Sequence, residues 1–250
     1  MKTNQTRLLA VLTAAALLLG GGCMNGQNRK TTVRGSKNLI TKTFALDPFK
    51  TIDASGMYNI TYCQTDGAPR VEVTTSDNVM EFVEVSAKGG DLKLSLSEKH
   101  RYDVKKLEVR AYSATLEGLC VRGAADVSIK DGLTTRSLDI VVNGAGDLDL
   151  KDIDVAGDVK IQINGAGDVD IRKISAEAIA VKVSGAGDVD VKEIDSDSVS
   201  VVISGTGNAV LTGTTGTAKL KVSGVGNINA TGLKADNYDA SKSGIGSIKY

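Results

Sequence analysis

The sequence predicts an all-β protein, a right-handed parallel β-helix (β-solenoid) of about 20 residues per coil with an irregular N-terminal cap. Three observations carry this. The phrase Gly144-Ala-Gly-Asp-Leu-Asp-Leu150 recurs as Gly165-Ala-Gly-Asp-Val-Asp-Ile171 and Gly185-Ala-Gly-Asp-Val-Asp-Val191, with looser copies beginning at Gly123, Gly205, Gly224 and Gly244. Subtracting successive first glycines gives steps of 21, 21, 20, 20, 19 and 20 residues, the constant period of a stacked repeat. Third, each period alternates apolar and polar residues on both sides of the glycines, as strands with one buried face do. The remaining turns are too brief for helical crossovers, and identical phrases at one period would rarely serve the two directions of a meander. Parallel stacking about 4.8 Å apart satisfies both constraints, and right-handed coiling follows from the usual handedness of parallel connections.

Residues 1–22 read as a lipoprotein signal peptide. Lys2 and Arg7 form a basic start, Leu8–Leu19 is an apolar run too short to span a bilayer comfortably, and Gly20-Gly21-Gly22 precede Cys23, the expected lipidation site. Residues 23–37 are polar and weakly basic, a flexible tether between lipid and body. The expected address is export, with lipid anchoring in the cell envelope at the outer membrane.

Residues 38–250 form the solenoid domain, with 38–115 as irregular first coils and cap. Phe49-Lys-Thr-Ile52 opens it and leads to an early corner and strand, Ala54–Tyr62. Val71-Glu-Val-Thr and Val83-Glu-Val-Ser alternate as strands around Ser76-Asp-Asn-Val-Met-Glu-Phe82, a helical turn or two with Ser76 at its N-cap. Leu92-Lys-Leu-Ser-Leu96 and Leu107–Tyr112 are further strands. A separate small β-sandwich before the solenoid is the alternative reading.

The regular repeats occupy 116–250. Leu138, Ile140 and Val142 align with Val159, Ile161 and Ile163, then Ile179, Val181 and Val183, then Val199, Val201 and Ile203. A shorter apolar touch follows at Ile153/Val155, Ile174 and Ile194, giving about three short strands per coil. Ordering a residue costs about 1–2 kcal/mol of backbone entropy, and burying a large aliphatic returns about 1.5–3 kcal/mol, so one coil cannot stand alone. Shared hydrogen-bond ladders and a continuous core make up the difference. The glycines mark a corner where positive φ or close backbone approach is required. The sequence stops at Ile248-Lys-Tyr250 within a copy of the phrase, so the C-terminal solenoid end is expected to be covered by a second subunit, a partner or the N-terminal segment.

With these phrases aligned, residues 44–250 resemble the "putative auto-transporter adhesin, head GIN domain" family, on the Phe49-Lys-Thr-Ile52 opening, the strand–short helix–strand segment at Ser76, and the repeats including Gly226-Asn-Ile-Asn229. The resemblance implies a β-helical body exported to the envelope, and carries no ligand or catalytic residue.

Composition narrows the function. The chain has 30 basic and 30 acidic residues; removing Lys2 and Arg7 leaves 28 against 30, with no electrostatic footprint for nucleic acid. There is no Trp and aromatics are 4%, which leaves little to stack on sugars or bases. The distinctive chemistry is a pair of acid columns, Asp147/Asp149, Asp168/Asp170 and Asp188/Asp190. Like charges at about 5 Å repel by about 1 kcal/mol per pair even in water. A hard cation such as Ca²⁺ would relieve this, and so would a structural ladder in which turn N–H groups serve the first Asp and Lys151, Arg172 and Lys192 face the second; no cofactor is expected on the ladder reading. Identical recurrence argues against catalysis, since glycoside hydrolysis needs two carboxylates in divergent environments. His100, the only histidine, sits in a charged loop without a nucleophile signature and reads as solvated. Cys63 and Cys120 are candidates for a disulfide. The expected function is a non-enzymatic envelope lipoprotein presenting a rigid solenoid for binding or adhesion to a protein or glycan. A structural protein stacking through its ends as a homo-oligomer comes second, and a β-helical polysaccharide-active enzyme third.

Overall fold

The computed structural model describes residues 30–250. The expected signal peptide, the lipidation site Cys23 and the first part of the tether lie outside the described residues. Thr31–Tyr250 form one compact unit. Its first half holds β1 (Thr32–Arg34), β2 (Leu39–Ala45), β3 (Thr51–Gln64), β4 (Arg70–Ser76), helix α1 (Asp77–Met80), β5 (Val83–Lys88), β6 (Asp91–Leu96), β7 (Arg101–Asp103) and β8 (Leu107–Ser113). The repeats supply β9 (Gly118–Ile129), β10 (Leu133–Thr135), β11 (Leu138–Val142), β12 (Leu148–Val155), β13 (Asp158–Ile163), β14 (Val169–Val183), β15 (Val189–Ile203), β16 (Thr206–Val222), β17 (Val225–Lys242) and β18 (Ile245–Lys249).

The architecture is a parallel β-solenoid of about seven turns. Ile140 pairs with Ile161 and Ile161 with Val181, in parallel register and one above another. The same row continues through Val201 and Leu220, and all five side chains are buried. Rows of stacked aliphatics therefore make one core shared by all coils, as the alternation requires. The bends after Val191 and Val210 show as register shifts in the β15–β16 and β16–β17 ladders.

The glycines are needed for close approach more than for positive φ. A Cβ on Gly165 would lie 1.8 Å from the carbonyl oxygen of Gly144, and one on Gly167 2.1 Å from that of Gly146. Between them, Ala124, Ala145, Ala166, Ala186 and Thr206 bridge in parallel from coil to coil. Backbone thus stacks on backbone at the corner with nothing between.

The first half joins the same body. β3 pairs in parallel with β9 from Thr51↔Gly118 to Tyr62↔Ile129, so a separate sandwich does not form. Its outer strands break the parallel rule: β8 pairs with β4, and β4 with β2, both antiparallel, while β5 and β6 make an antiparallel hairpin whose β6 lies on β3. Tyr62 locks this region from inside. Its hydroxyl bonds both the Ser113 carbonyl and the Ser113 hydroxyl at 3.1 Å, and burial pushes its pKa up to about 12.

Two expectations change here. The end of the tether is docked. β1 pairs with β7, the Ser36 N–H donates to Asn78 Oδ1 at 2.8 Å, and Asn78 Nδ2 donates to the Arg34 carbonyl at 2.8 Å. Ser76 precedes α1 as expected, but its hydroxyl donates to the Ser36 carbonyl at 2.8 Å and makes no cap bond to the helix. At the C-terminal end Ile245 and Tyr250 stay exposed. Tyr238 stacks on Tyr250 with ring centroids 4.8 Å apart, and the Lys242 amine donates to the Gly246 carbonyl at 3.0 Å.

Candidate functional site

The first acid column is a hydrogen-bonded ladder. Its geometry follows from register, because Asp147, Asp168 and Asp188 each stand one residue past the second glycine of a stacked corner. The Asp147 N–H donates to Asp126 Oδ1 at 3.2 Å, the Asp168 N–H to Asp147 Oδ1 at 3.0 Å, and the Asp188 N–H to Asp168 Oδ1 at 2.8 Å. Asn208 continues the column, its N–H 2.7 Å from Asp188 Oδ1, and the Asn227 amide donates to Asn208 Oδ1 at 3.0 Å. Each Asp side chain of the column accepts the backbone N–H of the next coil.

The second column, Asp149, Asp170 and Asp190, also stacks in register. Its expected basic partners are only partly in place. Lys192 Nζ is 3.7 Å from Asp190, but Arg172 turns away from Asp170 to pair with Asp152. Among the described residues, no group of three or more His, Cys, Asp or Glu is arranged to hold a metal ion.

Cys63 and Cys120 are both free. The structure does not bring them together: Cys120 pairs with Asp53 before the Gly56/Gly123 corner, while Cys63 lies beyond that corner opposite Tyr112. Two-residue alternation places both on the outward side, yet the bend puts them on different stretches of the coil. Burial raises both thiol pKa values; Arg122, donating to Cys120 Sγ at 3.3 Å, only partly opposes this. Thiols held protonated are poor nucleophiles. His100 is not a solvated loop residue. It is half-buried, its ring 4.9 Å from that of Phe82 and 6.3 Å from that of Tyr102, and its Nδ1 is buried without a hydrogen-bond partner. The spacing His100-Arg-Tyr102, which sets two aromatic rings two residues apart at the start of β7, was the available signal.

Sequence reasoning missed a lateral concavity. A trough of about 1090 Å³ runs along the side of the solenoid, where the chain bends after β9 and within β12, β14 and β15. One wall is held by Gln64, whose amide donates at 2.8 Å to the carbonyls of Ala114 and Thr134 and whose Oε1 accepts the Thr134 N–H. Six carboxylates line it (Asp66, Asp131, Asp152, Asp154, Glu193 and Asp195) against the two cations Arg172 and Lys173, so the lining charge is 2 − 6 = −4. The single ion pair among them is Arg172–Asp152.

Fold and surface together define a β-solenoid class of protein, in which the first column of carboxylates serves the chain's own backbone and a concavity lies open along one side. Within that class the chain belongs to the family described as "Putative auto-transporter adhesin, head GIN domain", whose model matches residues 48–171 and 158–250. A putative adhesin from Bacteroides fragilis NCTC 9343, known from its crystal structure, is 30% identical with a TM-score of 0.80 over 87% of this chain and 99% of that one. A putative adhesin from Parabacteroides merdae (21% identity, TM-score 0.62, 88% and 100% covered) and a putative lipid binding protein from Parabacteroides distasonis (18%, 0.69, 88% and 100%) share the fold. No curated protein matches. The family points to an adhesin-like, extracellular or envelope-associated protein. No helix among the described residues is long and apolar enough to cross a membrane.

Proposed function

We propose that this is a non-enzymatic binding protein of the cell envelope, anchored through lipid on Cys23, whose lateral trough takes a partner presenting positive charge. The trough supports this reading. It is preformed, one wall is clamped by Gln64, and its −4 lining stands out on a body that is close to neutral overall. Charge of one sign in a concavity concentrates oppositely charged partners and speeds their encounter. The acid ladder at the corner keeps a structural role, since each first-column Asp already spends an oxygen on the next coil.

Protein and glycan arrays probed with the wild type, an Asp154→Asn/Asp195→Asn variant and an Asp149→Asn/Asp170→Asn control test this directly. Wild-type signal on basic targets that the trough variant loses, and the control keeps, is the expected result. Signal indifferent to the trough substitutions would move the interaction to another face. Loss of lipid labelling in a Cys23→Ser chain is expected on the anchoring reading.

A further inference from the structure

Three inward rows of the core run unbroken through six coils or nearly so and then change character together. The first is Val121, Val142, Ile163, Val183, Ile203 and Val222, each at most 1% exposed, followed by Lys242. The second is Leu119, Ile140, Ile161, Val181, Val201 and Leu220, followed by Ala240. The third is Leu138, Val159, Ile179, Val199 and Ala218, followed by Tyr238. On these three rows, where another coil would stack, the last coil thus offers an ammonium, a methyl group and a phenol ring, while the row Leu148, Val169, Val189, Ala209 and Ile228 ends on the aliphatic Ile248.

Two of these three groups are engaged within their own end. The Lys242 amine is used by the Gly246 carbonyl, and the Tyr238 hydroxyl donates to the Leu233 carbonyl while its ring stacks on Tyr250. The opposite end carries the same device. The inward row Ile60, Val109 and Val73 terminates at Lys42 of β2, whose amine lies 4.9 Å from the Phe44 ring centroid. Moreover β2 runs with the solenoid strands but β5, the other outer strand of the cap, runs against β6 and β3. A second copy stacked along the axis would meet one edge in parallel and the other antiparallel.

Inward-pointing charge on an outer strand is a way in which β-proteins prevent edge-to-edge association. Burying Lys242 or Lys42 under another coil would desolvate an ammonium with no carboxylate row to meet it. We propose that β2 and the last coil are built-in stops, so that the solenoid is a monomer whose contacts with partners go to its sides.

Sedimentation of the full chain in detergent tests this. The wild type and a Lys242→Glu variant, which keeps a charge at the stop, are expected to sediment as monomers at micromolar concentration. Ala240→Leu/Lys242→Val, which restores the aliphatic rows, is expected at least to double the mass, whereas the outward-facing Lys221→Val leaves it unchanged. Self-association of the wild type, or a monomeric Ala240→Leu/Lys242→Val protein with native circular dichroism, would overturn the proposal. If that variant loses its native spectrum, Lys42→Val at the other end decides by the same criterion.

Discussion

The repeats from Gly118 onward and the segment from Leu39 to Ser113 share one sheet system and one core, yet they hold register by different means. In the repeats, register is a property of the period. Gly165 sits on Gly144 and Ile161 on Ile140 because their spacings are equal, and a slip of one residue would turn every aliphatic outward. In the first half the strands pair out of sequence order, and single side chains set the alignment: Tyr62 on Ser113, Gln64 on Ala114 and Thr134, Ser76 on Ser36. A periodic stack propagates and needs no such locks, whereas a cap that must stop the stack depends on them.

Glycine substitution separates the two regimes most sharply. In Gly165→Ala the new methyl meets the Gly144 backbone at 1.8 Å, and neither coil can yield without breaking the ladder above and below. The expected loss is more than about 4 kcal/mol, in the range where single substitutions are exceptional. Gly89 in the β5–β6 hairpin has φ +63° and open space around a Cβ, so Gly89→Ala is expected to cost only the left-handed strain of about 1–2 kcal/mol. Urea unfolding of both variants measures the contrast, and equal losses would show that the corner relaxes.

The acid ladder gives a smaller effect of the same kind. Asp168→Ala removes the acceptor of the Asp188 N–H, bonded at 2.8 Å, and is expected to cost about 0.5–1.5 kcal/mol. Asp168→Asn keeps an acceptor oxygen and removes a charge from between Asp147 and Asp188. It is expected to be neutral or stabilising by up to about 1 kcal/mol, as the natural Asn208 and Asn227 in that column suggest. If the Asn variant loses as much as the Ala variant, the column needs its charge, and a bound cation becomes the better explanation. Calorimetric titration of the wild type with Ca²⁺ would then show heat that the Asn variant does not.

What was legible in the sequence follows the same division. Periodic information sits within each 20-residue window, so the coils, the inward rows and the stacked Asp147, Asp168 and Asp188 could be read directly. The antiparallel pairing of β4 with β2 and β8 could not, because it joins residues 25 (Ala45↔Arg70) to 42 (Arg70↔Tyr112) apart in segments that share no phrase. The trough was hidden for a related reason. Asp66 reaches it from a loop after β3, Asp131 from a turn, and Asp154 and Asp195 from bends in different coils, so no single stretch of sequence looks like a site. Arg172 was assigned to the wrong neighbour because alternation tells which face a side chain takes but not which of Asp152 and Asp170 it reaches.

The weakest lock tests the cap regime most gently. Asp77 accepts hydrogen bonds from the Ser36 hydroxyl, the Asn38 amide at 2.8 Å and the Asn78 N–H at 2.7 Å, and these hold its pKa below the ordinary carboxylate range. Because the docked form binds its proton less readily than the released form, the contribution of Asp77 to docking is fully present above the ordinary carboxylate pKa and is lost as pH falls through its own lowered value. Acid is therefore expected to loosen residues 32–38 while the stacked coils, held by aliphatic rows, stay closed. Amide exchange, corrected for intrinsic rates, should show the Gly35 N–H, bonded to the Asp103 carbonyl at 2.9 Å, and the Ser36 N–H losing protection, as pH falls below the ordinary carboxylate range, before Ala166 and Ala186 do. Asp77→Asn should flatten that pH dependence for Gly35 and Ser36. Unchanged protection of the strap in acid, or a pH dependence that survives Asp77→Asn, would mean that β1 is held by its pairing with β7 alone.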